Sequence, residues 1–217
     1  LVTKVPSPAF NSFLEVMMFS IIEDVKAIYR NDPAAKNIEF LLYPCFHALL
    51  IHRYFNHVLY RLKIPFIPRL VSQLIRFLTG IEIHPGATIS PGFFIDHGMG
   101  VVIGETAFIG KNCVMFHNCT LGGTGHQSGK RHPQIGDNVL IGTAATLLGP
   151  ISVGNGSYIG AETVIINRDV PAECTVVGAP GRIVKKKGKK VDRELPVAKY
   201  WKEHRKGDGG LQGEVVE

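Results

Sequence analysis

The chain has 217 residues, of which 45% are hydrophobic, and a formal net charge of +6. This composition supplies enough apolar mass for a sizeable core, which excludes a disordered chain and favours one main domain with an accessory segment. No apolar stretch is long enough to cross a bilayer, and the four cysteines lack the CxxC spacing of common metal and redox motifs. We therefore expect a cytoplasmic protein with reduced thiols and no membrane association.

Residues 1–80 are predicted to form a helical region. Apolar residues follow the helical i, i+3, i+4 spacing from Phe10 to Ile28. Asn31-Asp32-Pro33 then ends this helix, and Asp32 is suited to cap a second helix with Pro33 in its first turn. A second apolar helical pattern covers about residues 39–62. Two prolines break that pattern, and a short helix is predicted over about residues 69–78.

From residue 81 to residue 184, an aliphatic residue returns at nearly every sixth position. This period fits neither an amphipathic helix nor an alternating strand, but it fits a solenoid in which each hexad forms one short side of a triangular coil. An aliphatic-rich β-sandwich is the alternative, which so many in-phase positions disfavour. The residues expected to point inward are Ile83, Ile89, Ile95, Ile103, Ile109, Met115, Leu121, Ile135, Ile141, Leu147, Val153, Ile159, Ile165, Val177 and Ile183.

The hexad rhythm is interrupted at two places. The first interruption is a two-residue slip at Val101-Val102, shortly after Asp96-His97-Gly98. The second is the excursion from Gly123 to Gln134, which contains Arg131-His132-Pro133. Because a regular solenoid is a scaffold, we expect the chemistry to lie at these interruptions.

Hexad counting predicts which residues share a face of the coil. Three hexads complete one coil, so every third hexad stacks at a strand spacing of roughly 4.8 Å. Counted across both interruptions, four hexads on one face have these residues at their outward third position: His97, His117, Thr143 and Ala161. Two imidazoles followed by two small residues predict a groove for an elongated ligand whose reactive end lies near His97.

Residues 185–217 are predicted to form a basic, largely flexible tail. Between Arg182 and Lys206 there are eleven Lys or Arg residues and three Asp or Glu residues. A block of like charge is usually a solvated segment. No nucleic-acid-binding motif accompanies it, so no nucleic-acid partner is expected. A segment flanking a site for a phosphorylated cofactor would account for the charge equally well.

Several motifs together resemble the serine O-acetyltransferases of cysteine biosynthesis. Besides the hexads, they are Ile81-Glu82-Ile83-His84-Pro85, Asp96-His97-Gly98, Gly104-Glu105-Thr106, Leu121-Gly122-Gly123-Thr124-Gly125 and Arg131-His132-Pro133, with Asp32-Pro33-Ala34 and Phe46-His47-Ala48-Leu49 in the helical part. The resemblance covers about residues 32–184. It implies an α+β chain in which the helical region precedes a left-handed parallel β-helix, residues 81–184, and three chains form a trimer. It also implies transfer of acetyl from acetyl-CoA, bound between adjacent subunits, to the hydroxyl of L-serine.

The resemblance assigns roles to individual residues. His97 matches the general base that takes the serine hydroxyl proton, a role that suits imidazole because its ordinary pKa lies near neutral pH. Glu82 matches the acid that orients this base, although many relatives have Asp there. The serine-binding set matches Asp32, Asp96, Arg131 and His132, and we also place His132 among the catalytic residues. Arg suits the substrate carboxylate, and Asp suits its ammonium group. Gly123, Thr124, Thr143 and Ala161 match positions that contact acetyl-CoA, the Gly123 amide being suited to receive the thioester oxygen.

Other functions remain open from the residues alone. Acetyl transfer to homoserine or a sugar would use the same fold, and a non-catalytic scaffold would need neither the Asp-His nor the Arg-His pair. A zinc hydratase of the gamma-class carbonic anhydrase type needs three ligands that include a His-x4-His pair. His97, His117 and His132 lack that spacing, so no metal is expected.

Two departures from the family bear on assembly. The helical region is much shorter than in the longer bacterial members, where it joins two trimers, so a homotrimer is expected and a hexamer is the alternative. The sequence ends at Glu217 without the terminal Ile by which many relatives dock into O-acetylserine sulfhydrylase. We therefore do not expect that complex.

Overall fold

Four α-helices make up the N-terminal region. The computed structural model describes residues 8–125 and 128–200, with side chains from residue 18 onward. The helices are α1 (Pro8–Asn31), α2 (Pro44–Ile51), α3 (His57–Arg61) and α4 (Ile67–Thr79), with a 3-10 turn at Ile38–Leu42 and a π-helical turn at His52–Asn56. No helix in this part of the chain combines the length and the apolar character that crossing a lipid bilayer requires.

The helical region is confirmed, but its middle is more broken than the apolar pattern indicates. Residues 32–37 contain a turn, so the prediction that Asp32 caps a second helix is wrong. Asp32 Oδ1 instead accepts a hydrogen bond of 2.8 Å from the N–H of Ala34 within that turn. Pro44 occupies the first turn of α2, where its missing N–H would have had no helical partner. The predicted stretch 39–62 is therefore a 3-10 turn followed by α2, the π-helical turn and α3.

The hexads wind into a parallel β-helix with three sheets. Sheet A contains β1 (Glu82–Ile83), β4 (Val102–Ile103), β7 (Thr120–Gly122), β10 (Thr146–Leu148) and β13 (Val164–Ile166). Sheet B contains β2 (Thr88–Ile89), β5 (Phe108–Ile109), β8 (Gln134–Ile135) and β11 (Ser152–Val153). Sheet C contains β3 (Phe94–Ile95), β6 (Val114–Met115), β9 (Leu140–Ile141), β12 (Tyr158–Ile159), β14 (Cys174–Val177), β15 (Arg182–Lys186) and β16 (Lys189–Glu194). The chain visits sheets A, B and C in turn, which gives the triangular coil.

The aliphatic residue of each hexad lies inside the coil and stacks on its counterparts. On sheet C, Ile95, Met115, Ile141 and Ile159 follow one another in register and are at most 1% exposed. Every predicted inward residue from Ile83 to Ile165 is buried, which confirms the solenoid over that span. The prediction for Val177 is wrong by one position. Val176 pairs with Ile159 and is fully buried, whereas Val177 is 39% exposed.

The helices close the N-terminal end of the coil. Its first strands have a neighbouring strand on one side only, so backbone groups on the other side need different partners. Buried or half-buried side chains of the helical region supply them: His52 Nε2 to Ala87 O (3.1 Å), His57 Nδ1 to Pro85 O (2.8 Å), Ser72 Oγ to Ile83 O (3.0 Å), and Arg53 to the carbonyls of Ile89 and Ser90. Arg53 also forms a buried ion pair with Asp24, Nε to Oδ2 2.9 Å. Helices and coil therefore pack as one unit.

The C-terminal end of the coil is closed by an antiparallel hairpin. β15 pairs with β14, and β16 pairs with β15, so sheet C extends past the last coil. This differs from the prediction of a largely flexible tail from residue 185. Ile183, predicted to continue the coil, is buried, but it lies in this hairpin. Residues 201–217 lie outside the described residues.

Candidate active site

His97 lies at the first interruption, on the corner that connects sheet C to sheet A. The two extra residues there are accommodated by positive backbone φ angles at His97 (61°), Gly98 (76°) and Gly100 (76°). This backbone turns the His97 side chain outward, where it is 76% exposed. Its Nε2 lies 3.8 Å from Oδ1 of Asp96, the neighbouring carboxylate. The corner thus presents an accessible imidazole beside an acid.

The predicted outward column is confirmed by the strand register of sheet C. β3, β6, β9 and β12 are successive neighbours, so the corners that follow them stack on one edge of the coil. Backbone hydrogen bonds join these corners: Ala144 N–H donates to His117 O (3.0 Å), and Glu162 N–H donates to Thr143 O (2.8 Å). The rings of His97 and His117 meet edge to face, with centroids 5.9 Å apart. His97, His117, Thr143 and Ala161 therefore line one edge.

His132 lies at the second interruption, on the corner that connects sheet A to sheet B, and it is only 7% exposed. Its Nδ1 accepts a hydrogen bond of 3.1 Å from the N–H of Thr106, and the Thr106 hydroxyl lies 2.9 Å from the same atom. Burial, reinforced by the charge of Arg131, lowers the pKa of His132 to about 4. The ring is therefore neutral at pH 7. Because its Nδ1 accepts a backbone N–H, the proton resides on Nε2, which makes His132 a hydrogen-bond donor.

Arg131 is held by a carboxylate that sequence reasoning did not select. Its guanidinium pairs with Glu105 Oε2, and Glu105 Oε1 accepts a 2.8 Å hydrogen bond from the hydroxyl of Tyr60. The Tyr60 hydrogen bond, followed by Arg131, lowers the pKa of Glu105. Hexad counting could have found this support, because Glu105 and Thr106 occupy the same corner one coil earlier. A guanidinium has five N–H donors, so Arg131 keeps donors for a ligand.

Asp32 is oriented by Tyr43 at the start of α2. The Tyr43 hydroxyl donates a 2.7 Å hydrogen bond to Asp32 Oδ2, and this bond is the main cause that raises the pKa of Tyr43 to about 12. Two residues later, burial raises the pKa of the Cys45 thiol to about 12, and the Asp96 carboxylate adds to the effect. Both carboxylates therefore lie near residues at the start of α2.

Glu82 is paired with two arginines of the helical region. It lies on β1, and its carboxylate forms ion pairs with Arg69 (3.3 Å) and Arg76 (3.1 Å) of α4. The two arginines are seven residues apart, which places them on one helix face. Among the described residues, Asp96 rather than Glu82 is the carboxylate within 4 Å of His97. A role of Glu82 in orienting the base stays a prediction.

The positions predicted to contact acetyl-CoA fall on two different corners. Thr143 and Ala161 share the edge of His97, as described above. Gly123 follows β7 on the corner of Arg131, and a Cβ added there would lie 3.3 Å from the carbonyl oxygen of Arg131. Thr124 follows it and approaches Gly149, where an added Cβ would meet the Thr124 methyl at 3.6 Å.

The two interruptions therefore carry two separate groups of polar side chains, which are called half-sites below because the resemblance assigns them to one site. The first, at the junction of sheets C and A, carries Asp96 and His97. The second, at the junction of sheets A and B, carries Arg131 and His132. One side of the triangle, about six residues long, separates them by roughly 15–20 Å. A serine-sized molecule at His97 cannot reach His132, whose ring is fixed against Thr106.

Side chains that could hold a metal are not grouped at either half-site. In residues 8–125 and 128–200, no three His, Cys, Asp or Glu side chains are close enough together to ligate an ion. The four cysteines are free and buried, and the three in the coil pack in its interior.

Comparison with known proteins agrees with this architecture. A family model described as bacterial transferase hexapeptide (six repeats) matches residues 132–167. The serine acetyltransferase of Bacillus subtilis is 54% identical over 182 residues, which cover 82% of this chain and 83% of that protein. The serine acetyltransferase of Synechococcus elongatus is 53% identical over 178 residues, which cover 81% and 72% of the two chains.

Solved structures give the same result. Neisseria gonorrhoeae serine acetyltransferase in complex with serine matches with a TM-score of 0.73 and 36% identity, covering 82% of this chain and 78% of that one. Soybean serine acetyltransferase complexed with serine matches with a TM-score of 0.74 and 41% identity, covering 80% and 72%. With relatives about half identical over most of both chains, and with hexad coils interrupted at an Asp-His and an Arg-His corner, this chain belongs to the serine acetyltransferase family.

Proposed function

We propose that the protein is a serine O-acetyltransferase that transfers acetyl from acetyl-CoA to the hydroxyl of L-serine, giving O-acetyl-L-serine and CoA. The observation that carries this proposal is the His97 ring, which is 76% exposed on the groove edge with Asp96 beside it. An exposed imidazole at the end of a column of small residues can meet both a hydroxyl acceptor and a thioester. The family membership and the serine complexes of its relatives support the choice of acceptor.

In the proposed reaction, His97 takes the hydroxyl proton of serine while the serine oxygen attacks the thioester carbonyl carbon. The carbon–sulfur bond then breaks, and the leaving CoA sulfur takes the proton back from the imidazolium. The Asp96 carboxylate lies beside the ring, where its negative charge attracts the positive charge that the imidazolium carries at that stage. The Gly123 amide is proposed to donate to the thioester oxygen as negative charge develops there.

Serine is proposed to be held at both of its charged groups. The buried Nε2–H of His132 and the remaining donors of Arg131 suit its carboxylate. A neutral, positionally fixed imidazole is a better donor than acceptor here, so we assign His132 to substrate binding rather than to proton transfer. Asp32 and Asp96 suit the ammonium group.

The complete site is proposed to form between chains. Because one chain keeps Asp96–His97 and Arg131–His132 on separate corners, a neighbouring copy must bring the missing half. A trimer with three-fold symmetry supplies this contact three times with one interface. Acetyl-CoA would then lie between adjacent chains, along the Thr143–Ala161 edge of one and the Gly123–Thr124 corner of the next.

The test is release of free thiol from acetyl-CoA in the presence of L-serine, with L-homoserine and a sugar as competing acceptors. The wild-type protein should release thiol with serine and far less with the others. Preferred turnover of homoserine or a sugar would replace serine as the acceptor. A folded protein without turnover on any acceptor would support a scaffold instead.

A further inference from the structure

The π-helical turn His52–Asn56 lies where the helical region meets the first coil. The N–H of His57 donates to the carbonyl oxygen of His52, so this turn is closed between residues five apart. Both imidazoles therefore face the same way, toward the coil. His52 Nε2 lies 3.1 Å from Ala87 O, and His57 Nδ1 lies 2.8 Å from Pro85 O. The turn thus fixes two rings against one loop of the coil.

His52 has one ring nitrogen that its contact with the coil does not use. The residue is 4% exposed, and burial is the main cause that lowers its pKa to about 3, so the ring is neutral at pH 7. A carbonyl oxygen can only accept, so Nε2 carries the proton toward Ala87, and Nδ1 is left as an acceptor. Among the described residues, no group donates a hydrogen bond to this Nδ1.

Asn56 and Ser72 add further buried acceptors. Asn56 is 2% exposed, and its Oδ1 also lacks a donor in the part of the chain that the structure describes. The hydroxyl of the buried Ser72 donates to Ile83 O at 3.0 Å, which leaves lone pairs on its oxygen. Acceptors cannot bond to one another, and a buried acceptor without a donor costs free energy. This group therefore needs a donor from outside the chain.

The three polar side chains line one small cavity between α2, the π-helical turn, α4 and β1. Its other lining residues are apolar: Ala48, Ile51, Ile75 and Ile83. The cavity has a volume of about 10 Å³, which is the room that a single water molecule needs. None of these lining residues is acidic, so a cation would be buried there without a compensating charge. The ligand that fits is small and neutral, and it donates two hydrogen bonds.

We propose that this cavity binds one water molecule, which donates to His52 Nδ1 and to Asn56 Oδ1. Ser72 Oγ is its third polar neighbour, and two to four such partners are usual for a buried water. The water joins the π-helical turn to α4 behind β1, the strand that carries Glu82. It is thus a structural ligand of the junction between the helical region and the coil, and it does not depend on the proposed acetyl transfer.

A crystal structure of the wild-type protein, at a resolution that shows ordered water, tests the proposal directly. We expect one density peak within roughly 2.7–3.2 Å of both His52 Nδ1 and Asn56 Oδ1. An empty cavity overturns the proposal, and so does a direct contact between the Asn56 amide and His52 Nδ1. Crystals soaked in rubidium chloride distinguish water from a monovalent cation, because an anomalous peak in the cavity would show a cation and overturn the proposal.

A double-mutant cycle on thermal stability tests whether the two acceptors share one ligand. His52→Phe and Asn56→Leu are each expected to lower the melting temperature by roughly 5 °C, because the other acceptor loses its bridging donor. The double variant should lose much less than the sum of the two losses, since neither acceptor remains. The lost hydrogen bond to Ala87 is common to both His52 variants, so it cancels in the comparison.

The matched control combines Asn56→Leu with Thr79→Val. Thr79 is also buried and polar, but it lies at the other end of α4, where its hydroxyl donates to Ile75 O at 2.6 Å. The losses of this pair should add. Additive losses for His52 and Asn56 overturn the proposal, and so does equal non-additivity in the control. The wild-type crystal structure decides the question even if a variant fails to fold.

Discussion

The two interruptions of the coil leave their histidines in opposite environments. His97 is exposed and has a positive backbone φ angle, and its Nε2 lies 3.8 Å from the carboxylate of Asp96. His132 is 7% exposed, and Thr106 holds its Nδ1 through a backbone N–H. An exposed ring can exchange protons with a ligand and solvent, whereas a buried neutral ring with one nitrogen occupied can only donate from the other. The same residue type is thereby suited to proton transfer at one corner and to fixed recognition at the other.

The largest effect should come from removing the exposed ring. His97→Ala is expected to lower kcat by roughly 10²–10⁴-fold, the usual contribution of a general base. Because the ring is exposed, the thermal stability should change little. Thiol release under saturating substrates and a thermal melt measure the two quantities, and undiminished turnover would exclude His97 as the base.

The buried ring should instead govern stability in acid. The pKa of His132 is lowered to about 4, chiefly by burial, from an ordinary value of 6.5. Between these pH values the unfolded chain binds a proton that the folded chain does not. His132 should therefore leave the free energy of unfolding unchanged above about pH 6.5. As the pH is lowered from 6.5 to 4, His132 should decrease this free energy by at most about 3 kcal/mol.

Urea unfolding at several pH values from 4.5 to 7.5 tests this expectation. His132→Gln should give a shallower pH dependence than the wild type. The difference between the two proteins at pH 7.5 measures the cost of the substitution that is unrelated to the proton. Parallel pH profiles would contradict the assignment of His132 as a neutral buried ring.

Displacing the buried ring should weaken serine binding. A Cβ at Gly104 would lie 2.0 Å from Cδ2 and 2.2 Å from Nε2 of His132, so the ring must move in Gly104→Ala. We expect KM for serine to rise about tenfold through loss of one aligned donor. Gly154→Ala is the matched control, because its Cβ would meet the Ala172 nitrogen at 2.4 Å, away from both half-sites. An equal rise in the control would indicate a general distortion of the coil.

The smallest expected effect is the recovery of activity in mixed trimers. It tests whether His97 of one chain acts together with Arg131 of its neighbour. His97→Ala and Arg131→Ala chains are each expected to be nearly inactive at low serine. When they are unfolded together and refolded in equal amounts, each inter-chain site has about one chance in four of receiving both intact corners. The mixture should recover about a quarter of wild-type activity. If both corners of one chain formed the site, the mixture would recover none.

The coil was predictable from sequence because a period of six repeats one physical constraint. Each aliphatic residue fills the same interior position, so counting predicts burial and also the stacking of His97 on His117. The count failed at Val177 because the last turn of the coil is one residue shorter. A full coil of eighteen residues would place residue 176 opposite Tyr158. Thr175 lies there instead, so Val176 points into the coil.

Features that depend on non-repeating contacts were not predictable in the same way. The pairing of Glu82 with Arg69 and Arg76 depends on how α4 packs, which no hexad count contains. The hairpin was mistaken for a tail because its lysines dominate the composition. The sequence nevertheless contains a hairpin signal, since Lys187-Gly188 lies between two segments with β-branched residues. In the structure both turn residues have the positive φ angles that such a turn requires.

The helices at the start of the coil also have a consequence for solubility. A shortened chain that began at the first strand would present three bare strand edges to solvent, each a template for another chain. Such molecules should associate with one another through these exposed edges. The N-terminal region therefore protects the first coil from pairing with another chain.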